Sequence, residues 1–172
     1  MIRKRQPLSA EAALSKAEML CSVAEYCSFD IMKKLANWGI SADDSYKIIE
    51  RLIQKRFIDN NRFAHSFVND KYKFSKWGRM KIRLSLYQKK IPSDVINAAL
   101  EEAVDQDEYY NILVKLLRGK ARMIKEGNSF EGRTKLFRFA ASRGFETDLI
   151  SKAIRSDRIF NLNDDSQEYE VE

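Results

Sequence analysis

Three ten-residue stretches of this chain carry one apolar pattern: IMKKLANWGI (31–40), IRLSLYQKKI (82–91) and LFRFAASRGF (136–145). Each places apolar residues at its first, fifth and tenth positions, as Ile31, Leu35 and Ile40, then Ile82, Leu86 and Ile91, then Leu136, Ala140 and Phe145. The offsets are 51 and 54 residues, and a period of this size is the signature of a repeat architecture. After each stretch comes a short break and an amphipathic segment: SADDSYKIIERLI, PSDVINAALEEAV and ETDLISKAIRSD. Ahead of each lies a longer one: SAEAALSKAEMLCSVAEY, NNRFAHSFVNDKYKF and DEYYNILVKLLRGKARMI.

Apolar residues recur at helical spacing throughout and strand-like alternation is not sustained, while Gly and Pro number only six and two, so helices are the expected elements. Ser41 with Asp44 has the spacing of a capping box, and Pro92 suits the first turn of a helix. The expectation is an all-α chain of three tandem three-helix repeats, 9–58, 59–104 and 105–157, stacked into an elongated, curved, rod-like array of about nine helices. A flexible basic N-terminus (1–8) and an acidic C-terminal tail (158–172) flank it. The alternative is one compact bundle, against which only the period argues.

Net charge is +6, which favours acidic partners, nucleic acid before anionic lipid. The apolar fraction of 44 % supplies a core, and no apolar run reaches bilayer length, so a soluble, cytoplasmic monomer without a membrane partner is expected. Cys21 and Cys27 have no companions to complete a zinc site, and a reduced, partly buried state is expected for both. His65 lies in a helical pattern with no nucleophile or metal partner beside it. The glycines of GNSFEG are not followed by the Lys-Ser/Thr of a phosphate loop. No enzymatic activity, metal or cofactor is expected.

The stretch KYKFSKWGRMKIRLSLYQKKIPS (71–93) contains Lys71, Lys73, Lys76, Arg79, Lys81, Arg83, Lys89 and Lys90 without a carboxylate, interleaved with Tyr72, Phe74, Trp77 and Tyr87. Its helix has two apolar stripes, one through Met80, Leu84, Tyr87 and Ile91 and one through Ile82 and Leu86. The repeat decides between them: Leu84 aligns with Lys33 and Arg138, whereas Ile82 and Leu86 align with apolar residues, so Ile82 and Leu86 face inward. Arg79, Arg83 and Lys90 then form a stripe at the core boundary, with Lys81 and Lys89 further round, and no acid within the segment neutralises them. A second basic stretch includes Lys120, Arg122, Arg133, Lys135 and Arg138. Together they predict a polyanion-binding face. The final NLNDDSQEYEVE carries five carboxylates and no cation; it reads as a solvated tail, or as a competitor for the basic face.

FIDNNRFAHSFVNDK resembles the signature of the RecX family, through Asp59, Asn60, Phe63, Ala64, Phe67 and Val68. WGRMKIRLSLYQKKI is similar to that family's Gly-x-x-x-Ile-x-x-x-Leu-x-x-Lys-Gly-Ile stretch through Gly78, Ile82, Leu86, Lys89 and Ile91, with Lys90 where the family has Gly. Upstream, AALSKAEMLCSVAEYCSFDIMKKLANWGI resembles the first-repeat pattern, with Val23 and Ala24 at positions often basic. The resemblance covers about Ser9 to Arg155. It implies a helical rod lying in the groove of a RecA–DNA–ATP filament, contacting recombinase and DNA, single-stranded first and double-stranded second. It further implies lowered ATP hydrolysis and strand exchange, with filament growth limited or filaments lost, in recombination, repair and the SOS response. Two other functions fit the charge without it: a stand-alone helical DNA-binding protein or repressor, and a scaffold for an acidic protein.

Overall fold

The computed structural model describes residues 8–156 and 158–160, and among these it contains nine α-helices and no strand. They are α1 (Ala10–Val23), α2 (Ser28–Asn37), α3 (Ala42–Gln54), α4 (Asn60–Lys73), α5 (Arg79–Gln88), α6 (Ser93–Ala103), α7 (Gln106–Ala121), α8 (Phe130–Ser142) and α9 (Thr147–Arg155). The expected all-helical class and helix order are observed. The tail beginning at Asn161, the first seven residues and Asp157 lie outside the described residues.

Local chemistry sets the helix starts. Hydroxyl or carboxylate oxygens of Ser9, Ser41, Asp105 and Ser129 accept the backbone N–H three residues ahead, at Ala12, Asp44, Glu108 and Gly132, which satisfies donors that no helical carbonyl can reach. The expected Ser41–Asp44 pair is present, although the Asp44 carboxylate accepts from the Ser41 hydroxyl at 2.9 Å. Pro92 stands one position ahead of α6 instead of inside its first turn, and its carbonyl accepts from Ile96 N–H at 3.0 Å.

The ends of α2, α5 and α8 share one device. Gly39, Lys90 and Gly144 occupy the ninth position of the three repeated stretches and all have positive φ, +81°, +61° and +86°. In each case the tenth residue donates its N–H to the carbonyl of the fifth: Ile40 to Leu35 at 3.1 Å, Ile91 to Leu86 at 3.2 Å and Phe145 to Ala140 at 3.3 Å. This is the six-to-one bond of a Schellman cap. The apolar tenth residue is thereby turned back onto its own helix, which explains why that position repeats.

By compactness the chain divides into two units. The first comprises the described residues through Phe67 together with Leu86–Ala99. There α1 and α2 pack on α3, burying Ala13, Ala17, Ile31, Leu35, Ile48, Ile49, Leu52 and Ile58, with Leu8, Trp38 and Phe57 closing the edges. Ala13 and Ala17 permit the close helix approach that larger residues would block. The second comprises Val68–Ser85 together with the described residues from Leu100 onward. There α7, α8 and α9 pack on one another around Leu113, Leu117, Leu136, Ala140, Phe145, Ile150 and Ala153. Ile82 and Leu86 are fully buried while Met80, Leu84 and Tyr87 are exposed, so α5 faces as the repeat indicates.

Candidate nucleic-acid interface

In the second unit the approach to α5 is fixed by backbone contact. Gly78 donates its N–H to the Arg143 carbonyl at 2.8 Å, and Met80 donates to the Gly144 carbonyl at 3.0 Å. A Cβ at Gly78 would lie 2.1 Å from the Gly144 oxygen, and one at Gly144 would lie 2.3 Å from Lys81 Cβ. Two glycines thus seat the start of α5 against the α8–α9 turn, and this seating places the first basic stretch.

Arg79 is consumed by the seating. Its N–H donates to the Tyr109 hydroxyl at 2.8 Å, its guanidinium lies over the Tyr109 ring at 4.2 Å, and it pairs with Glu146 at 3.6 Å. The Tyr109 hydroxyl donates in turn to Glu146 at 2.7 Å. Burial and that carboxylate push the Tyr109 phenol well above its ordinary range, so it remains a protonated donor. Tyr72 repeats the arrangement, donating to Glu108 at 2.7 Å, and burial likewise raises its pKa. Tyr72 is therefore a packing residue rather than a base-stacking one.

The expectation of an uncompensated ridge is corrected at four positions. Besides Arg79, Lys71 pairs with Asp70 at 2.6 Å and Lys135 pairs with Glu126. The Glu126 carboxyl is held below its usual range by the Lys135 ammonium. In the first unit Lys89 pairs with Asp30 at 2.6 Å and lies over the Phe63 ring at 5.7 Å. For Arg79 and Lys89 the acids are distant in sequence, which a search within the segment at helical spacing misses; Asp70 directly precedes the basic segment and Glu126 lies nine positions before Lys135.

Other cations keep their charge outward. Among the described residues Lys73, Lys76, Lys81 and Lys90 have no carboxylate partner. Lys73 lies over the Tyr72 ring at 5.5 Å, and Lys76 donates to the Lys73 carbonyl. Trp77 draws two ammonium groups together, Lys71 at 5.5 Å and Lys81 at 4.4 Å from its ring. Arg83 is exposed and, like Arg122, makes contacts within the molecule. In the second basic stretch Lys120 and Arg143 both stand over Phe139, at 5.4 and 5.2 Å, Arg133 donates to Asn128 at 2.7 Å, and Arg138 is exposed.

Beside the cations are exposed apolar residues, of which the repeat alignment indicated an outward face for Met80 and Leu84 alone. Phe74 is 80 % exposed, and Met80 and Leu84, one turn apart on α5, are 58 % and 57 % exposed. Isolated exposed apolar residues are ordinary; a pair between Lys81 and Arg83 combines two kinds of affinity at one place. Cys21 and Cys27 are free thiols whose pKa burial raises, consistent with packing residues. The described residues contain no group of side chains placed to hold a metal and no helix long and apolar enough to cross a membrane.

The helices and the cap that recurs at three equivalent positions define an all-helical repeat protein. The chain belongs to the RecX family: residues 59–100 match its second three-helix domain and residues 107–154 its third. It is 32 % identical over 136 residues to the regulatory protein RecX of Clostridium botulinum (strain Eklund 17B / Type B), the match spanning 78 % of this chain and 63 % of that protein. To the regulatory protein RecX of Chlorobium phaeobacteroides (strain BS1) it is 31 % identical over 86 % of this chain and 93 % of the other. The crystal structure of RecX from Lactobacillus salivarius superposes with a TM-score of 0.73 at 23 % identity, covering 84 % of this chain and 94 % of that one. This last likeness establishes the shared fold.

Proposed function

We propose that this protein is a negative regulator of the RecA recombinase, binding in the groove of the RecA–DNA filament and lowering ATP hydrolysis and strand exchange. It acts by binding, without chemistry or a cofactor of its own, as a cytoplasmic monomer. Its three repeats, 9–58, 59–104 and 105–157, supply separate patches whose modest affinities multiply on an assembled filament through effective concentration. The family match and the left-handed cap recurring at Gly39, Lys90 and Gly144 support that division. Lys73, Lys76, Lys81, Arg83 and Lys90, with Lys120, Arg122, Arg133 and Arg138, face phosphate or acidic protein. Lys71, Arg79, Lys89 and Lys135 contribute through the pairs they already hold.

The observation carrying this reading is the exposed Met80–Leu84 pair between Lys81 and Arg83. Phosphate recognition needs the cations alone; desolvated apolar groups beside them suit a protein surface. The partner is then protein and nucleic acid together. The test adds the protein to preformed recombinase filaments on single-stranded DNA, following ATP turnover and filament length. Turnover falls with the unmodified protein. Met80→Ala/Leu84→Ala loses most of the inhibition while still binding bare DNA, and Lys76→Glu/Lys81→Glu loses both. Arg79 is left out, since Arg79→Glu would set a carboxylate against Glu146. Full inhibition by folded Met80→Ala/Leu84→Ala would refute the mixed interface, and sequence-preferring DNA binding without effect on filaments would favour a stand-alone DNA-binding protein.

A further inference from the structure

The second unit contains a pocket of about 460 Å³ between α8 and α9, lined by Phe130, Phe137, Thr134 and Ile154 with Arg133, Arg138 and Arg155 around them. Its size falls within the usual range for sites that enclose a ligand group. Phe130 at one edge is 85 % exposed. Apolar walls are ordinary for such a pocket, but its charge is not. Arg133 is tied to a neutral amide, Asn128, and Arg138 and Arg155 have no carboxylate partner among the described residues. Three guanidinium groups bordering an apolar cleft select an aromatic or aliphatic group flanked by negative charges, because guanidinium both pairs with carboxylates and stacks on rings.

The chain carries a segment of that chemistry. Residues 161–172 read NLNDDSQEYEVE, in which Tyr169 stands between Glu168 and Glu170 with Val171 and Glu172 beyond. The segment starts six positions after Arg155, itself a pocket residue. Nine positions separate Phe160 from Tyr169, a span of up to roughly 30 Å when extended. A tether of this length holds an attached group at about millimolar effective concentration, so weak intrinsic affinity suffices.

We infer that the α8–α9 pocket is the docking site of this chain's own C-terminal segment, with Tyr169 entering between Phe130 and Phe137 and Glu168 and Glu170 meeting Arg133, Arg138 and Arg155. Docking covers Arg133 and Arg138, two cations of the proposed filament face, so the tail is a built-in competitor for whatever polyanion that face receives. Salt weakens the contact, as does a competing polyanion.

The test uses the full chain at low salt and needs no recombinase, so its outcome is separate from that of the proposed function. The methyl resonances of Thr134 and Ile154, both in the pocket wall, report the ring of Tyr169. Tyr169→Ala shifts both, and adding a synthetic 161–172 peptide to Tyr169→Ala moves them back saturably. In Tyr169→Ala combined with Arg138→Gln/Arg155→Gln, a pair at exposed positions, the peptide binds at least tenfold more weakly. Methyl resonances indifferent to Tyr169→Ala overturn the proposal. So does a response that scales with protein concentration, which would put the tail in a second copy's pocket. So does a single-stranded oligonucleotide that moves the methyls equally in the unmodified chain and in Tyr169→Ala, which would make the pocket a nucleic-acid site free of the tail.

Discussion

Lys90 occupies a backbone conformation suited to glycine. Its φ of +61° puts Cβ near the following carbonyl, a cost of roughly 1–2 kcal/mol for a non-glycine residue, and its two counterparts in the chain are Gly39 and Gly144. Retention of a lysine there makes sense if its charge is used. Lys90→Gly relieves the strain and adds back a glycine entropy cost of roughly 0.5–1 kcal/mol, so a net gain of about 0.5–1 kcal/mol is expected in urea unfolding. The same variant weakens polyanion binding. A loss of stability on Lys90→Gly would mean that the lysine side chain packs in a way that outweighs its backbone. The sequence placed Lys90 at the family's glycine position but could not show that the fold keeps a left-handed turn there, since φ is not a property of residue type. Pairing was equally hidden: Arg79 finds Glu146 and Lys89 finds Asp30, acids 67 and 59 positions away, and only folding brings them within reach.

At the level of the element, periodicity was the informative signal. Helix order, the Ser41 cap and the burial of Ile82 and Leu86 could all be read from it, because amphipathic spacing and capping are local properties. For α5 the local pattern alone was ambiguous, and alignment of the three stretches resolved it, since equivalent positions meet equivalent cores. What spacing could not convey was how α5 is held. Gly78 looked like one signature residue among several, yet it is where two backbones touch. Gly78→Ala drives a methyl to 2.1 Å from the Gly144 oxygen, and a carbonyl cannot rotate aside as a side chain can. The bonds from Gly78, Arg79 and Met80 N–H are strained together, so a loss of about 3 kcal/mol or more is expected, at the upper end for overpacking. Gly119, inside α7 with nothing near its added Cβ, is the control: Gly119→Ala stabilises by about 0.5–1 kcal/mol through helix propensity alone. Urea midpoints of the two variants moving in opposite directions check the distinction, and equal shifts would refute it.

For the whole molecule the governing quantity is how many cations remain for a partner after the chain has served itself. A net charge of +6 predicts attraction to polyanions without saying which residues deliver it. Reading the first basic segment as wholly uncompensated overstates its field, because structure assigns Lys71, Arg79 and Lys89 to internal carboxylates. Internal pairs release no counterions from nucleic acid, whereas cations that meet phosphates do. If Lys73, Lys76, Lys81 and Lys90 meet phosphate while Arg83, Lys120, Arg122, Arg133 and Arg138 meet acidic protein, binding to single-stranded DNA falls with a log–log salt slope of about −3, or roughly 60-fold between 50 and 200 mM salt. If all thirteen basic residues first assigned to the face engaged phosphate, the slope would approach about −9. Equilibrium binding of the full chain to a short oligonucleotide across that range separates the two. Lys81→Gln should then lower the slope by about 0.7, while Lys89→Gln should leave it unchanged and reduce stability instead, because Asp30 would lose the ammonium it faces. A slope that responds equally to both would mean that the Lys89–Asp30 pair opens when the partner binds, and the count of available charge would have to be made on the bound form.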